Sequence, residues 1–317
     1  MRREGSALQG LGVVTLKEIG DHFSSILVVV LVVLIVGTAI AVVWGAVGQI
    51  KEITAEDPFL FLRLFTRSGG LLPLAALLSF LVPLVAIGLG FDAVNGEHNR
   101  RTLSRILSQP IYRDALLFGK FLAGLFILSV SLIALWLLVI GFGLVALGVP
   151  PNVEEMGRAL VVLVVTIAYA GVWLALAMLF SIVFRSAATA ALASLGLWLF
   201  MTILWPLFSP ALANAFSTAN DVLGVLHTQQ AFARVSPSAL FSEVMAVVLD
   251  PSVRSTQQSM LAALGLVLLE RGAIPDAPIP LLQSILIVWP QIVGLIAATI
   301  LLFVAGYVVF QRQEVRA

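Results

Sequence analysis

Apolar residues run along this chain in blocks long enough to cross a bilayer, and charged residues fall between the blocks. Residues 26–48 form an unbroken apolar run apart from Thr38. At about 1.5 Å per residue, 23 helical residues cover about 34 Å, against a hydrocarbon core of about 30 Å. Comparable runs occupy 71–91, 121–147, 159–184, 187–207 and 281–310, so the pattern predicts six spanning helices. The second contains Pro83, which removes one helical hydrogen bond and predicts a kink. Only Arg185 and Ser186 separate the fourth block from the fifth, which predicts a tight antiparallel hairpin.

Two shorter apolar stretches, 239–249 and 260–269, lie within the connection 208–280 and are too short to cross. Ser236, Pro237 and Ser238 precede the first of them, and Asp250 and Pro251 stop it, so both stretches are expected as packed or interfacial helices. Leu240, Phe241, Val244, Val247 and Val248 give the first an apolar face that suits either a lid or plain packing. Ahead of the first span, 8–23 mixes Leu8, Leu11, Val14, Leu16 and Ile19 with Lys17, Glu18, Asp21 and His22. That mixture predicts a short amphipathic helix lying at the membrane interface.

Composition agrees with the pattern. Hydrophobic residues make up 60% of the 317, charged residues 11%, and the mean hydropathy is +1.08. A soluble domain carries about 25% charge, so the expected class is an all-α polytopic membrane protein forming a single transmembrane unit over 1–317. The absence of cysteine excludes disulfides and thiolate metal sites. With the N-terminus inside, 11 of the 18 Lys and Arg residues fall on the cytoplasmic face and seven outside, and acidic residues lean the other way. Both termini are therefore expected in the cytoplasm of a plasma-membrane protein, with 208–280 outside. The first apolar run begins late and is too long for the core of a cleavable signal.

The charged segment 92–120 is the most informative stretch. Arg100, Arg101 and Arg105 project from a short helix expected around 102–108, whose other side carries Leu103, Ile106 and Leu107. Pro110 ends it. Taken in order, Phe91, Asp92, Gly96, Glu97, Thr102, Leu103, Ile106, Leu107, Ser108, Pro110, Arg113, Gly119 and Lys120 resemble the cytoplasmic signature of ABC-2-type transporter permeases. Lys17, Glu18 and Asp21, within LKEIGDHFSS, resemble that family's elbow helix. One departure is Arg101, where many members carry glycine.

The resemblance implies an elbow helix at 8–23, a cytoplasmic coupling helix between spans two and three, and a helical external region between spans five and six. It also implies that the coupling segment docks on a separate ATPase subunit. Asp92, Glu97, Arg101, Thr102, Leu103, Arg105, Leu107, Ser108, Pro110, Arg113 and Lys120 are the residues it places in that coupling region. A second permease copy, identical or not, would complete the assembly, with membrane lipid around it and no nucleic acid. Ala187, Ala190, Ala191 and Ser194, spaced for close helix approach, are the candidates for the dimer or pathway. Trp173, Trp198, Trp205 and Trp289 are candidate interface anchors.

The chain has no phosphate-cradling loop of its own. Lys120 is followed by Phe121 rather than Ser or Thr, and Asp114 stands where the first glycine would be. His22, His98 and His227 are scattered and form no metal motif. ATP and magnesium are therefore expected on the partner, with no catalysis and no cofactor on this chain. No charged residue lies within the six predicted spans, which argues against an ion-driven carrier and for a hydrophobic or amphipathic substrate, with export the expected direction. A membrane scaffold without transport is the alternative reading, an ion-coupled carrier a more distant one.

Overall fold

A computed structural model describes residues 7–50, 59–67, 72–99, 113–216, 222–253 and 278–312. The elements are α1 (Ala7–Phe23), α2 (Ile26–Ile50), α3 (Arg63–Thr66), α4 (Leu74–Gly90), α5 (Asn95–Asn99), α6 (Arg113–Leu147) and α7 (Val153–Val183). Then follow α8 (Ala187–Leu199), a π-helical segment (Phe200–Leu204), α9 (Trp205–Phe216), α10 (Val222–Ala233), α11 (Pro237–Leu249) and α12 (Leu281–Arg312). There is no strand among the described residues. Among the described residues five helices are long and apolar enough to cross a membrane, or six if the bent pair of α10 and α11 counts as one span, and α2 is not one of the five. The element expected as the first span is the 25-residue α2. The expected helix at 260–269 lies outside the described residues.

The core is built around α7, which packs on α4, α6, α8, α11 and α12. Tyr169, Trp173 and Leu174 on α7 are fully buried. Trp173 and Trp198 are therefore core residues rather than interface anchors, because each ring finds protein on every side. Trp198 stacks edge-on against Phe80 at 4.9 Å. Trp289, by contrast, is largely exposed. At Gly90 an added Cβ would lie 2.9 Å from the Ala177 Cβ, so the end of α4 approaches α7 as closely as only glycine permits.

Where the sequence placed the start of the fourth span at 159, the helix begins earlier. Asn152 accepts from the Glu155 backbone N–H (2.7 Å) while the Glu155 carboxylate accepts from Asn152 N–H (2.9 Å), a reciprocal capping box. Glu155 also accepts from Phe61 N–H (2.8 Å), fastening the segment before α3 to this cap. One turn on, Arg158 is completely buried, donating to Glu154, to the carbonyls of Val248 and Ile279, and to the Ser284 hydroxyl. The fifth span likewise continues past 207, to Phe216.

Two prolines leave backbone carbonyls unpaired, and side chains meet both. Pro83 has no N–H for the carbonyl of Ser79, four residues back. Tyr169 Oη donates to that oxygen at 3.0 Å. In the π segment Trp205 N–H reaches Phe200 O, five residues back. In that register Pro206 fails to serve Met201 O, and the Ser236 hydroxyl donates there at 2.8 Å. Ser238 bridges the two places, lying 2.9 Å from both the Tyr169 and the Thr202 hydroxyls.

These contacts locate the pair of α10 and α11. The two helices bend by 112° at residues 234–236, and the bend reaches the middle of the long run 187–216 and the middle of α7. From there α11 returns along α12, α7 and α4, with Phe241, Val244, Val247 and Val248 fully buried. The apolar face that offered a lid is therefore packing within the bundle.

Candidate functional site

One end of the bundle gathers residues from three separated stretches of sequence. α1 lies along the start of α6, and Gly119 makes the contact possible, since a Cβ there would fall 2.6 Å from Val14 Cγ1. The next residue, Lys120, points its ammonium into the junction with only 5% of its side chain exposed. It pairs with Glu18 on α1 at 3.0 Å and with Glu97 on α5 at 2.7 Å. A buried ammonium has a large desolvation cost, which two carboxylates offset. On the outer side Lys17 bridges Glu18 and Asp21, each at 2.9 Å.

The charges shape one another. Burial works against ionisation of Glu18, but Lys120 and Lys17 overcome it and hold the carboxyl below its ordinary 4.5. Lys17 shifts the opposite way and is raised, its burial outweighed by hydrogen bonds to Glu18 and Asp21. His22 is lowered, burial outweighing the attraction of Glu18.

α5 is fixed from the other side by α7. Ser181 Oγ accepts from the backbone N–H groups of Val94 and Asn95, at 3.0 and 3.2 Å, and Asn95 Nδ2 donates to Phe184 O at 3.5 Å. The last helix joins as well, Tyr307 and Gln311 both donating to Asp114 on α6. α1, α5, the first turns of α6, the end of α7 and the end of α12 thus form one connected junction.

Of the residues singled out from the sequence, Lys17, Glu18, Asp21, Glu97 and Lys120 come together here. Lys120 turns inward as a clasp rather than outward as a contact surface. Asp92 is exposed beside the junction. Arg113 opens α6. Arg101, Thr102, Leu103, Arg105, Leu107, Ser108 and Pro110 lie outside the described residues, as does the side chain of Arg113. The small-residue positions on α8 divide: Ala190 and Ser194 are fully buried inside the chain, whereas Ala187 and Ala191 are half-buried. Ser181, Asn95 and Asp114 were not picked out from the sequence as members of the site. A hydroxyl four residues before Arg185, at the end of an apolar block, is the one signal that Ser181 carried.

Across residues 13–315 the sequence matches the family described as ABC-2 family transporter protein. The chain belongs to that family. Similar proteins include the probable ABC transporter permease protein NosY of Pseudomonas aeruginosa, 35% identical over 140 residues, which is 42% of this chain and 49% of that protein. The protein of the same description from Stutzerimonas stutzeri is 32% identical over 145 residues, 44% of this chain and 50% of that protein. The chain spans about half the length of the curated relatives it matches. Family membership and the long apolar helices together make this ABC-2 member a multi-pass membrane protein.

Proposed function

We propose that the chain is the permease subunit of an ATP-binding cassette transporter, exporting a hydrophobic or amphipathic substrate across the plasma membrane. ATP and magnesium act on a separate ATPase subunit, which docks on the cytoplasmic segment 92–120, and a second permease copy completes the pathway. Both termini are cytoplasmic. The observation that carries this reading is the Lys120 clasp, which joins α1, the segment after α4 and the start of α6 through one buried ammonium. A push on residues 100–112 then reaches two spans and the interfacial helix as one body, because separating them would leave charges buried without partners. The half-exposed Ala187 and Ala191 and the exposed Leu192, Leu195 and Leu199 give α8 a surface for the second copy.

The test is co-purification of an ATPase subunit with the tagged chain from the native membrane. Arg101→Glu combined with Arg105→Glu is expected to abolish it while leaving the permease in the membrane. Retained co-purification moves the docking surface elsewhere. Labelling of a cysteine at position 104 only from the extracytoplasmic side removes the segment from any ATPase and ends the proposal.

A further inference from the structure

The pair of α10 and α11 carries charge to membrane depth, on a surface that differs from the free faces of the described spanning helices. Arg234, at the bend, holds Glu243 of α11 at 3.0 Å, and Gln291 of α12 donates to the same carboxylate at 2.7 Å. Gln291 is the eleventh residue of α12, about 15 Å along it at about 1.5 Å per residue. Side chains on the free faces of the spanning helices are large and apolar, as at Leu192, Ile203 and Leu207 on the fifth span and Leu286, Val293 and Ile300 on α12. The outer stripe of α11 is Ala239, Ser242, Glu243 and Ala246, and among the described residues α11 exposes no large apolar side chain. A partly exposed ion pair beside small and polar residues does not suit hydrocarbon, where ionisable groups are costly and face bundle interiors or water.

A second observation points to a ligand. Gln291 is 1% exposed, and with its amide nitrogen committed to Glu243 its Oε1 is a buried acceptor with no hydrogen-bond donor. Arg234 and Glu243 already neutralise each other, so the group that fits this oxygen is a neutral donor. We infer that Arg234, Ser242, Glu243 and Gln291 form a binding site, water-filled at its exposed Ser242 face, in which the hydroxyl or amide head of a neutral amphipathic molecule donates to the Gln291 oxygen sealed beneath the ion pair. The inference rests on the permease reading only in treating that molecule as transported. It gives the pathway one polar station where the six predicted spans offered none.

The chain has no cysteine, so Ser242→Cys reports alone. In phospholipid nanodiscs without any ATPase, a charged, membrane-impermeant methanethiosulfonate is expected to modify Ser242→Cys at least about tenfold faster than Leu286→Cys on α12, since hydrocarbon excludes the reagent by more than that. 1-Dodecanol is expected to slow the reaction about threefold, the effect of one intramembrane hydrogen bond, and its methyl ether, which has no O–H, to leave it unchanged. Gln291→Leu, or Gln291→Met if the leucine variant does not fold, is expected to erase that difference. Equal, slow labelling at both positions overturns the water-filled site. Oxidative cross-linking of Ser242→Cys between two chains makes the face an interface between copies and overturns it too. Equal protection by alcohol and ether overturns the donor site. None of these outcomes touches ATPase docking, so this inference and the proposed function fail separately.

Discussion

A lysine that carries its charge into a nearly closed junction leaves its neighbours little freedom, and Gly119 shows how little. With a Cβ 2.6 Å from Val14 Cγ1, Gly119→Ala is expected to cost about 1–3 kcal/mol by overpacking, loosening α1 from α6. Val14→Ala in the same chain makes room for that methyl, so thermal unfolding of the double variant should recover most of the loss. The same junction responds to acid. The folded pKa of Glu18 is depressed, so its contribution is present above the ordinary 4.5 and is lost as pH falls through the lowered value. His22 is also depressed, so its protonation opposes docking as soon as pH drops below 6.5. In a His22→Gln background that leaves the carboxylate alone, a spin label at Val13→Cys, on the exposed side of α1, should stay immobilised at pH 4.5 and gain mobility at lower pH. Adding Glu18→Gln should weaken that pH dependence over the same range, leaving only what Glu97 and Asp21 contribute.

Single helices follow rules that a sequence displays, until a proline hands its missing hydrogen bond to another element. The kink residue Pro83 was visible in the sequence, but the donor that serves Ser79 O is Tyr169, 90 residues away. Tyr169→Phe is expected to destabilise the bundle by about 1 kcal/mol. Pro83→Ala restores the helix's own donor to Ser79 O, so the cost of Tyr169→Phe should fall sharply in that background. A double-mutant cycle of thermal or denaturant unfolding measures the difference, and equal costs in both backgrounds would remove Tyr169 as the cap. The Asn152–Glu155 capping box stands in the sequence as an N-x-x-E pattern, but the apolar block starts only at 159, and the expected span begins there. The added first turn ahead of that block is held inside the protein because Arg158 finds acceptors in three other places in the chain.

For the bundle as a whole, Arg158 is the fastening of the end opposite the Lys120 junction. It ties α7 to the end of α11, to Ile279 ahead of α12, and to Ser284 within it. Arg158→Leu leaves two carbonyls and a hydroxyl buried without that donor, and about 3–5 kcal/mol of stability is the expected loss. Glu154→Gln keeps those contacts and removes only a partly exposed charge, so its unfolding temperature should change far less. The sequence by itself determined the class, the apolar blocks and the charged segment after the second span, because hydrophobic length and charge along a chain are local properties. The motif that marked the family was local too. Only the tertiary structure decided that Lys120 turns inward between Glu18 and Glu97, that α11 packs inside the bundle, and that Arg234 and Glu243 meet beside Gln291 of α12. Each of these depends on which distant groups lie within about 3 Å in the folded bundle, and spacing along the chain does not encode that proximity.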